Sequence, residues 1–373
     1  MILLWLCACA HDDDDDGVDD PKKPGVTADI VSSTVYDATS DRDGYLSIPV
    51  EVTEDGGIFQ VVVTRERGML STEYLNGPDG SAILDWEDWY DSSFSLTESF
   101  FPTEFATTLN WPVREEDGPL EVGSYEVIIS TLDAQGYYAG RENVQVEVLT
   151  RAEPNAARGA LRVVVAYAEG VRDEPDVVAS VEAAVDYWVE LYAAVGVTLE
   201  PEYSDIAVDA ELPDTYEGLP EISAFHDSQD QRTLLMVVGE RIAADRWLYG
   251  EAGGIPGPYA SADHAAVFVS WLANAGSDAE FQEADILLFG ETMAHEVGHF
   301  VGLFHPVEDG WEYWDALEDT SDCTGMGACE GSLGANLMFP YPVCTGGSAA
   351  SCLRQDVLSG GQAGVVNRYV GVE

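Results

Sequence analysis

The sequence predicts two folded parts, an all-β sandwich over residues 26–152 and an α+β domain over residues 155–373. Three observations carry that prediction. The length of 373 residues exceeds one ordinary core. The first half consists of short β-branched and aromatic runs broken by glycine turns, with no helical period. The second half interleaves such runs with two long stretches of helical periodicity.

Ahead of both parts, residues 1–9 read as an export signal, because the apolar run is too short to span a bilayer. Leu6-Cys7-Ala8-Cys9 resembles a bacterial lipobox, which implies lipidation at Cys9. No Lys or Arg precedes the run, so plain secretion or a start further upstream stays open. Each of the main readings places the protein outside the cytoplasm, with membrane contact only through a lipid anchor. Residues 10–25 form an acidic tether: a block of like charge buries too little apolar surface to offset the entropy of ordering.

Composition narrows the partners. Against 16 Lys and Arg stand 69 Asp and Glu, a formal net charge of −53. Such a surface repels phosphate backbones and anionic headgroups, which argues against a nucleic-acid partner. Apolar residues at 46% are ample for packed cores.

In the first part, strands are expected at Tyr45–Val52, Ile58–Thr64, Ser124–Thr131 and Asn143–Leu149. Asp85, Glu87, Asp88 and Asp91 surround Trp86 and Trp89 and read as a solvated loop. Glu153-Pro154-Asn155 marks a linker. In the second part, Leu161–Ala166 is a buried strand. Val178, Val181, Val185, Trp188, Val189 and Tyr192 recur at helical steps, predicting a helix over Pro175–Val195 that ends before Gly196. Val197–Glu200, Thr233–Val238 and Ala265–Ser270 are further strands, and a second helix runs over Ile286–Leu303. A short helix follows Ser359.

That second helix carries the chemistry. His295 and His299 are four residues apart, so one helical face presents both to a single ion. Glu296 follows the first, placed to exchange a proton with water on the metal, whose pKa zinc lowers toward about 7. Gly302 offers a left-handed stop, after which the chain brings back His305 as third ligand and leaves a fourth position open. Three of the six histidines in the chain thus gather within eleven residues. His226 and His264 lie outside the pattern and read as surface or core residues.

Residues His295 to His305 resemble the metzincin signature, HExxHxxGxxH, at every fixed position. That resemblance implies a zinc endopeptidase acting on protein or peptide, a twisted and mostly parallel sheet, an active-site helix and a methionine-bearing turn. Asn336-Leu337-Met338-Phe339-Pro340 is similar to that turn, with Met338 as the apolar floor beneath the metal. Asp319-Thr320, Asn336 and Leu358–Gln362 favour the pappalysin-like branch over the matrixin-like one, although Pro340 stands where that branch carries tyrosine. Tyr341, one residue on, is the candidate for the corresponding transition-state donor, with a plain packing role as the alternative. The branch further implies calcium near the active-site loop, with Asp315 and Asp319 as candidate ligands. Substrate is expected to lie extended along an edge strand, assigned to Ala265–Ser270.

Cys323, Cys329, Cys344 and Cys352 form an even cluster in an exported chain, which reads as two disulfides with three open pairings. Four thiolates on a structural zinc is the competing reading, disfavoured by the lack of a C-x2-C pair. No cysteine occurs in residues 10–322, so a thiol in the first part does not hold the enzyme latent. The rival to an enzyme is a cell-surface binding lipoprotein that works through its sandwich and keeps a protease-like scaffold. The intact Glu296 counts against it.

Overall fold

The computed structural model describes residues 31–53, 56–90, 92–151, 159–243, 245, 247–276, 279–308 and 310–373. The signal, Cys9, the tether and the linker at Glu153-Pro154-Asn155 lie outside the described residues.

Among the described residues, eight strands precede residue 152: β1 (Val31–Thr39), β2 (Tyr45–Val52), β3 (Ile58–Asn76), β4 (Ala82–Asp85), β5 (Phe94–Ser95), β6 (Thr103–Trp111), β7 (Gly123–Leu132) and β8 (Asn143–Arg151). A short helix, α1 (Trp86–Tyr90), follows β4. Apart from β5, these strands form one antiparallel sheet, ordered β1-β8-β3-β7-β2 with β4 and β6 also on β3. A sandwich of two separate sheets was expected; here one 19-residue strand serves both halves. The first part of β3, up to Thr64, pairs with β8 and β6. After a register break between Thr64 and Met69 it pairs with β7 and β4. Breaks of this kind let one strand turn a corner between packed layers. The layers do face each other, since Phe59 and Tyr125 have ring centroids 5.9 Å apart.

The remainder contains β9 (Gly159–Tyr167), β10 (Val197–Asp205), β11 (Glu211–Leu212), β12 (Leu234–Gly239), β13 (Arg241–Ile242), β14 (Gly250–Ala252), β15 (Val267–Ser270) and β16 (Trp314–Asp315). Its helices are α2 (Pro175–Ala194), α3 (Pro220–Ser228), α4 (Trp271–Asn274), α5 (Glu283–Phe300), α6 (Met326–Leu333) and α7 (Gly360–Arg368). Five strands form a second sheet in the order β10-β9-β12-β15-β14. Its first three pairings are parallel and the last, β14 on β15, is antiparallel. The chain as a whole is therefore α+β, with antiparallel pairings in the majority. No helix among the described residues is long and apolar enough to cross a membrane.

Ala265–Ser270 is not an edge, contrary to the sequence reading. Strand β15 lies between β12 and β14, and all four of its residues are buried. The edge is β14, whose Gly-Glu-Ala composition has little strand propensity of its own.

The two parts share one continuous apolar core. Buried amides bridge them. Gln60 Oε1 accepts from the Tyr259 amide at 2.7 Å, while its Nε2 donates to the Gly257 carbonyl at 3.2 Å. Asn110 bonds the Arg368 carbonyl and the Val370 amide, each at 2.9 Å. Arg151 donates to the carbonyls of Asn367 and Tyr369. Strand β5 also pairs in parallel with β16.

Candidate metal centre

Helix α5 starts from a reciprocal cap in which the Gln282 amide donates to Asp285 Oδ2 at 2.9 Å. It packs on α2, where the Tyr192 hydroxyl donates to the Ala294 carbonyl at 3.0 Å, one residue before the first histidine. The helix ends as the sequence predicts. Gly302 takes φ 110°, its amide bonds the His299 carbonyl and the Leu303 amide bonds the Gly298 carbonyl, both at 2.8 Å. That pair of bonds is a left-handed C-terminal stop of the Schellman type, which a residue with a side chain adopts only with strain. The turn sends the next residues back beside the helix and delivers His305.

Three imidazoles meet there. His305 Nε2 is 3.1 Å from His299 Nε2 and 3.3 Å from His295 Nε2. A tetrahedral ion with Zn–N bonds of about 2.0–2.1 Å holds two nitrogens about 3.3 Å apart, so the spacing fits one. Each opposite nitrogen is already committed. His295 Nδ1 faces the Leu337 carbonyl, His299 Nδ1 the Leu303 carbonyl and His305 Nδ1 the Glu308 carboxylate, each at 2.7 Å. Donation from Nδ1 leaves the Nε2 lone pairs aimed inward, the tautomer a metal requires. Burial and the neighbouring imidazoles also hold His295 down at about 3 and His299 well below its usual value. Neutral rings are what metal ligation needs. Among the described residues, these three form the group whose ligating atoms converge tightly enough to hold a metal ion.

Glu296 lies against the edge strand, and a Cβ built at Gly250 would fall 2.4 Å from its Cγ. Withdrawal from water, reinforced by the Glu251 carboxylate, pushes Glu296 up to about 8. A cation at the histidines acts in the opposite sense. A cavity of about 150 Å³ opens beside His295 and Glu296, lined by Leu248, Leu288, Thr292, Tyr341 and Gln355 among others.

Met338 is fully buried beneath the helix, its sulfur 2.5 Å from where a Cβ on Gly298 would stand. The turn around it is pinned: the Met338 amide donates to Asn336 Oδ1 at 2.8 Å, and Asn336 exchanges bonds with the buried Gln362. The preceding carbonyl, Leu337, is the one that holds His295.

Of the other residues singled out from the sequence, Tyr341 lines the same cavity as Glu296, and the rest fall elsewhere. The Tyr341 hydroxyl reaches Glu330 at 3.2 Å, with its ring packed edge-on against Trp311 and Phe339. Asp319 accepts from the Ser359 hydroxyl and the Gly361 amide at the start of α7. Asp315 is buried and bonded to Thr320. Its Oδ2 is buried without a hydrogen-bond partner among the described residues. His226 bonds the Ala265 carbonyl, and His264 lines a separate groove. The four clustered cysteines resolve into two disulfides, Cys323–Cys329 and Cys344–Cys352, which leaves none of these four as a thiolate for a structural zinc. Gly250, Glu308 and the two backbone carbonyls were not anticipated.

No protein-family model matches the chain, and no curated protein matches it. Among solved structures it is similar to metalloproteinase-II from Bacteroides fragilis, at 14% identity and TM-score 0.27, over 44% of this chain and 52% of that one. The chain thus spans about half the length of that metalloproteinase. It is also similar to the pre-peptidase C-terminal domain of a Bacillus anthracis collagenase, at 12% identity and TM-score 0.19, over 31% of this chain and 88% of that one. A family 35 carbohydrate binding module from Clostridium thermocellum aligns at 10% identity and TM-score 0.17, over 31% and 90%. These likenesses are weak, and the metal reading rests on the geometry of the three histidines. Fold and site together define an α+β chain with a three-histidine centre suited to a metal ion.

Proposed function

We propose that this chain is a zinc-dependent endopeptidase of the metzincin type. The observation that carries the proposal is the convergence of three Nε2 atoms, each ring fixed through Nδ1, beside a carboxylate one residue past the first ligand. His295, His299 and His305 would hold the zinc ion, which would supply Lewis acidity and make a bound water more acidic. Glu296 would be the residue that accepts a proton from water and donates one to the leaving amine of the cleaved peptide bond. Met338 is the apolar floor below the rings. The substrate is a protein or peptide that lies beside β14, the sheet edge next to Glu296, through main-chain hydrogen bonds.

Work outside the cytoplasm, secreted or on a lipid anchor at Cys9, belongs to the same proposal. The two disulfides support it, because such bonds persist in oxidising compartments.

The test compares wild type with Glu296→Gln on unfolded casein and on a peptide library. Cleavage by wild type is expected to fall by about 10²–10⁴-fold in the variant, with zinc content unchanged. Equal cleavage by both proteins would remove Glu296 from the mechanism. A wild type that holds zinc and cleaves nothing would favour a binding protein.

A further inference from the structure

Two of the three ligand rings are held by backbone carbonyls, from Leu337 and Leu303. The third is held by a side chain. Glu308 Oε2 lies 2.7 Å from His305 Nδ1, and it is a carboxylate where the other two acceptors are neutral. Glu308 does not arrive there as a loose surface residue. Its own amide donates to the Tyr313 carbonyl at 2.9 Å, and its carbonyl accepts from the Trp311 amide at 3.0 Å. Trp311 holds a left-handed φ of 64° to close that loop. Both sides of the Glu308 backbone are therefore tied before its side chain reaches the ring. His305 stands outside α5, so the helix that orients the other two rings does nothing for it.

Resting on the metal reading above, we propose that Glu308 is a positioning residue of the metal centre. It holds His305 in the tautomer that presents Nε2 to the ion. Its negative charge also makes that ring the strongest donor of the three. A carboxylate bonded to the far nitrogen of a ligand imidazole fixes ring and tautomer and raises its basicity, and loss of such a partner costs about 10–100-fold in metal affinity. Glutamine keeps an acceptor oxygen but removes the charge. Alanine removes both.

The experiment measures zinc affinity of the full chain by chelator competition, for wild type, Glu308→Gln, Glu308→Ala and Glu312→Ala. Glu312 is an exposed carboxylate in the same loop and controls for general electrostatics. Melting of the metal-free proteins runs alongside. The expected order is wild type and Glu312→Ala tightest, Glu308→Gln weaker, and Glu308→Ala weaker by about 10–100-fold, with metal-free melting temperatures unchanged. Affinity of Glu308→Ala within twofold of wild type would overturn the assignment. So would an equal loss in Glu312→Ala, or a matching drop in metal-free stability. A wild type that binds no zinc is a different result, and it overturns the metal reading itself.

Discussion

Gly250 and Glu296 touch across the sheet edge: a methyl group added to Gly250 would stand 2.4 Å from the Glu296 Cγ and 3.0 Å from its carboxyl carbon. The edge strand thus sets where the carboxylate sits. Gly250→Ala must push Glu296 aside, while the three histidines, held from elsewhere, stay in place. A misplacement of about 1 Å in a catalytic group costs roughly 10²-fold. Peptide cleavage is expected to drop by about that factor with zinc stoichiometry preserved. Full activity in Gly250→Ala would separate the edge strand from the chemistry.

The two parts of the chain are expected to unfold together. Gln60 and Asn110 are buried, and each spans the boundary with both of its polar atoms. Removal of one such amide leaves buried backbone groups unpaired, at a cost of about 1–3 kcal/mol per group. Calorimetry of the full chain should give a single transition that Asn110→Ala moves down as a whole. Two transitions, with the second untouched by Asn110→Ala, would show independent parts.

Asp315 makes stability fall with rising pH. Its buried carboxylate accepts from Thr320 and weakly from the Leu317 amide, while Oδ2 has no hydrogen-bond partner. Burial pushes its pKa up to about 7, helped by Asp319 and Asp322. In the unfolded chain the group ionises near its ordinary 3.8. Below that value both states hold the proton and the contribution is intact. Between about 4 and 7 only the folded state holds it, so stability declines with pH and levels off above. Asp315→Asn stays neutral throughout. Thermal melts from pH 4 to 8 should find the variant gaining on wild type as pH rises; parallel curves would contradict the shift.

Cys323–Cys329 sits under the loop that follows His305, packed with Val307, Leu333 and Phe339. It closes a short loop, with a sequence separation of 6. Loops of that size restrict the unfolded chain by about 2 kcal/mol. The double variant Cys323→Ala with Cys329→Ala should lose about that much in denaturant titration. Non-reducing peptide maps should return this pair and Cys344–Cys352; a bridge between the two pairs would refute the topology.

Much of the site was legible in the sequence, and physics explains the division. Helical spacing places His295 and His299 on one face whatever the surroundings, and Gly302 announces its stop through the φ it adopts. Met338 was singled out because it stands in an apolar run downstream of His305, and it is buried against Gly298. The partners of the rings were not. Leu337 and Leu303 act through backbone carbonyls, which carry no signature in residue identity. Gly250 lies forty-six positions before Glu296, and only the sheet order brings them together. The edge was misplaced for a related reason: the Val-Phe-Val run of β15 reads as a strand, whereas the Gly-Glu-Ala of β14 outside it does not. Strand β1, with no buried residue beyond Val31, lacked the alternation that would have betrayed it.

X-ray absorption at the zinc edge of the purified full chain addresses the central claim directly. One zinc per chain is expected, with four nitrogen or oxygen neighbours at about 2.0–2.1 Å, imidazole among them, and with the signal lost in His299→Ala. A sulfur shell near 2.3 Å, or a chain that retains no zinc after dialysis against the metal-free buffer, would contradict it.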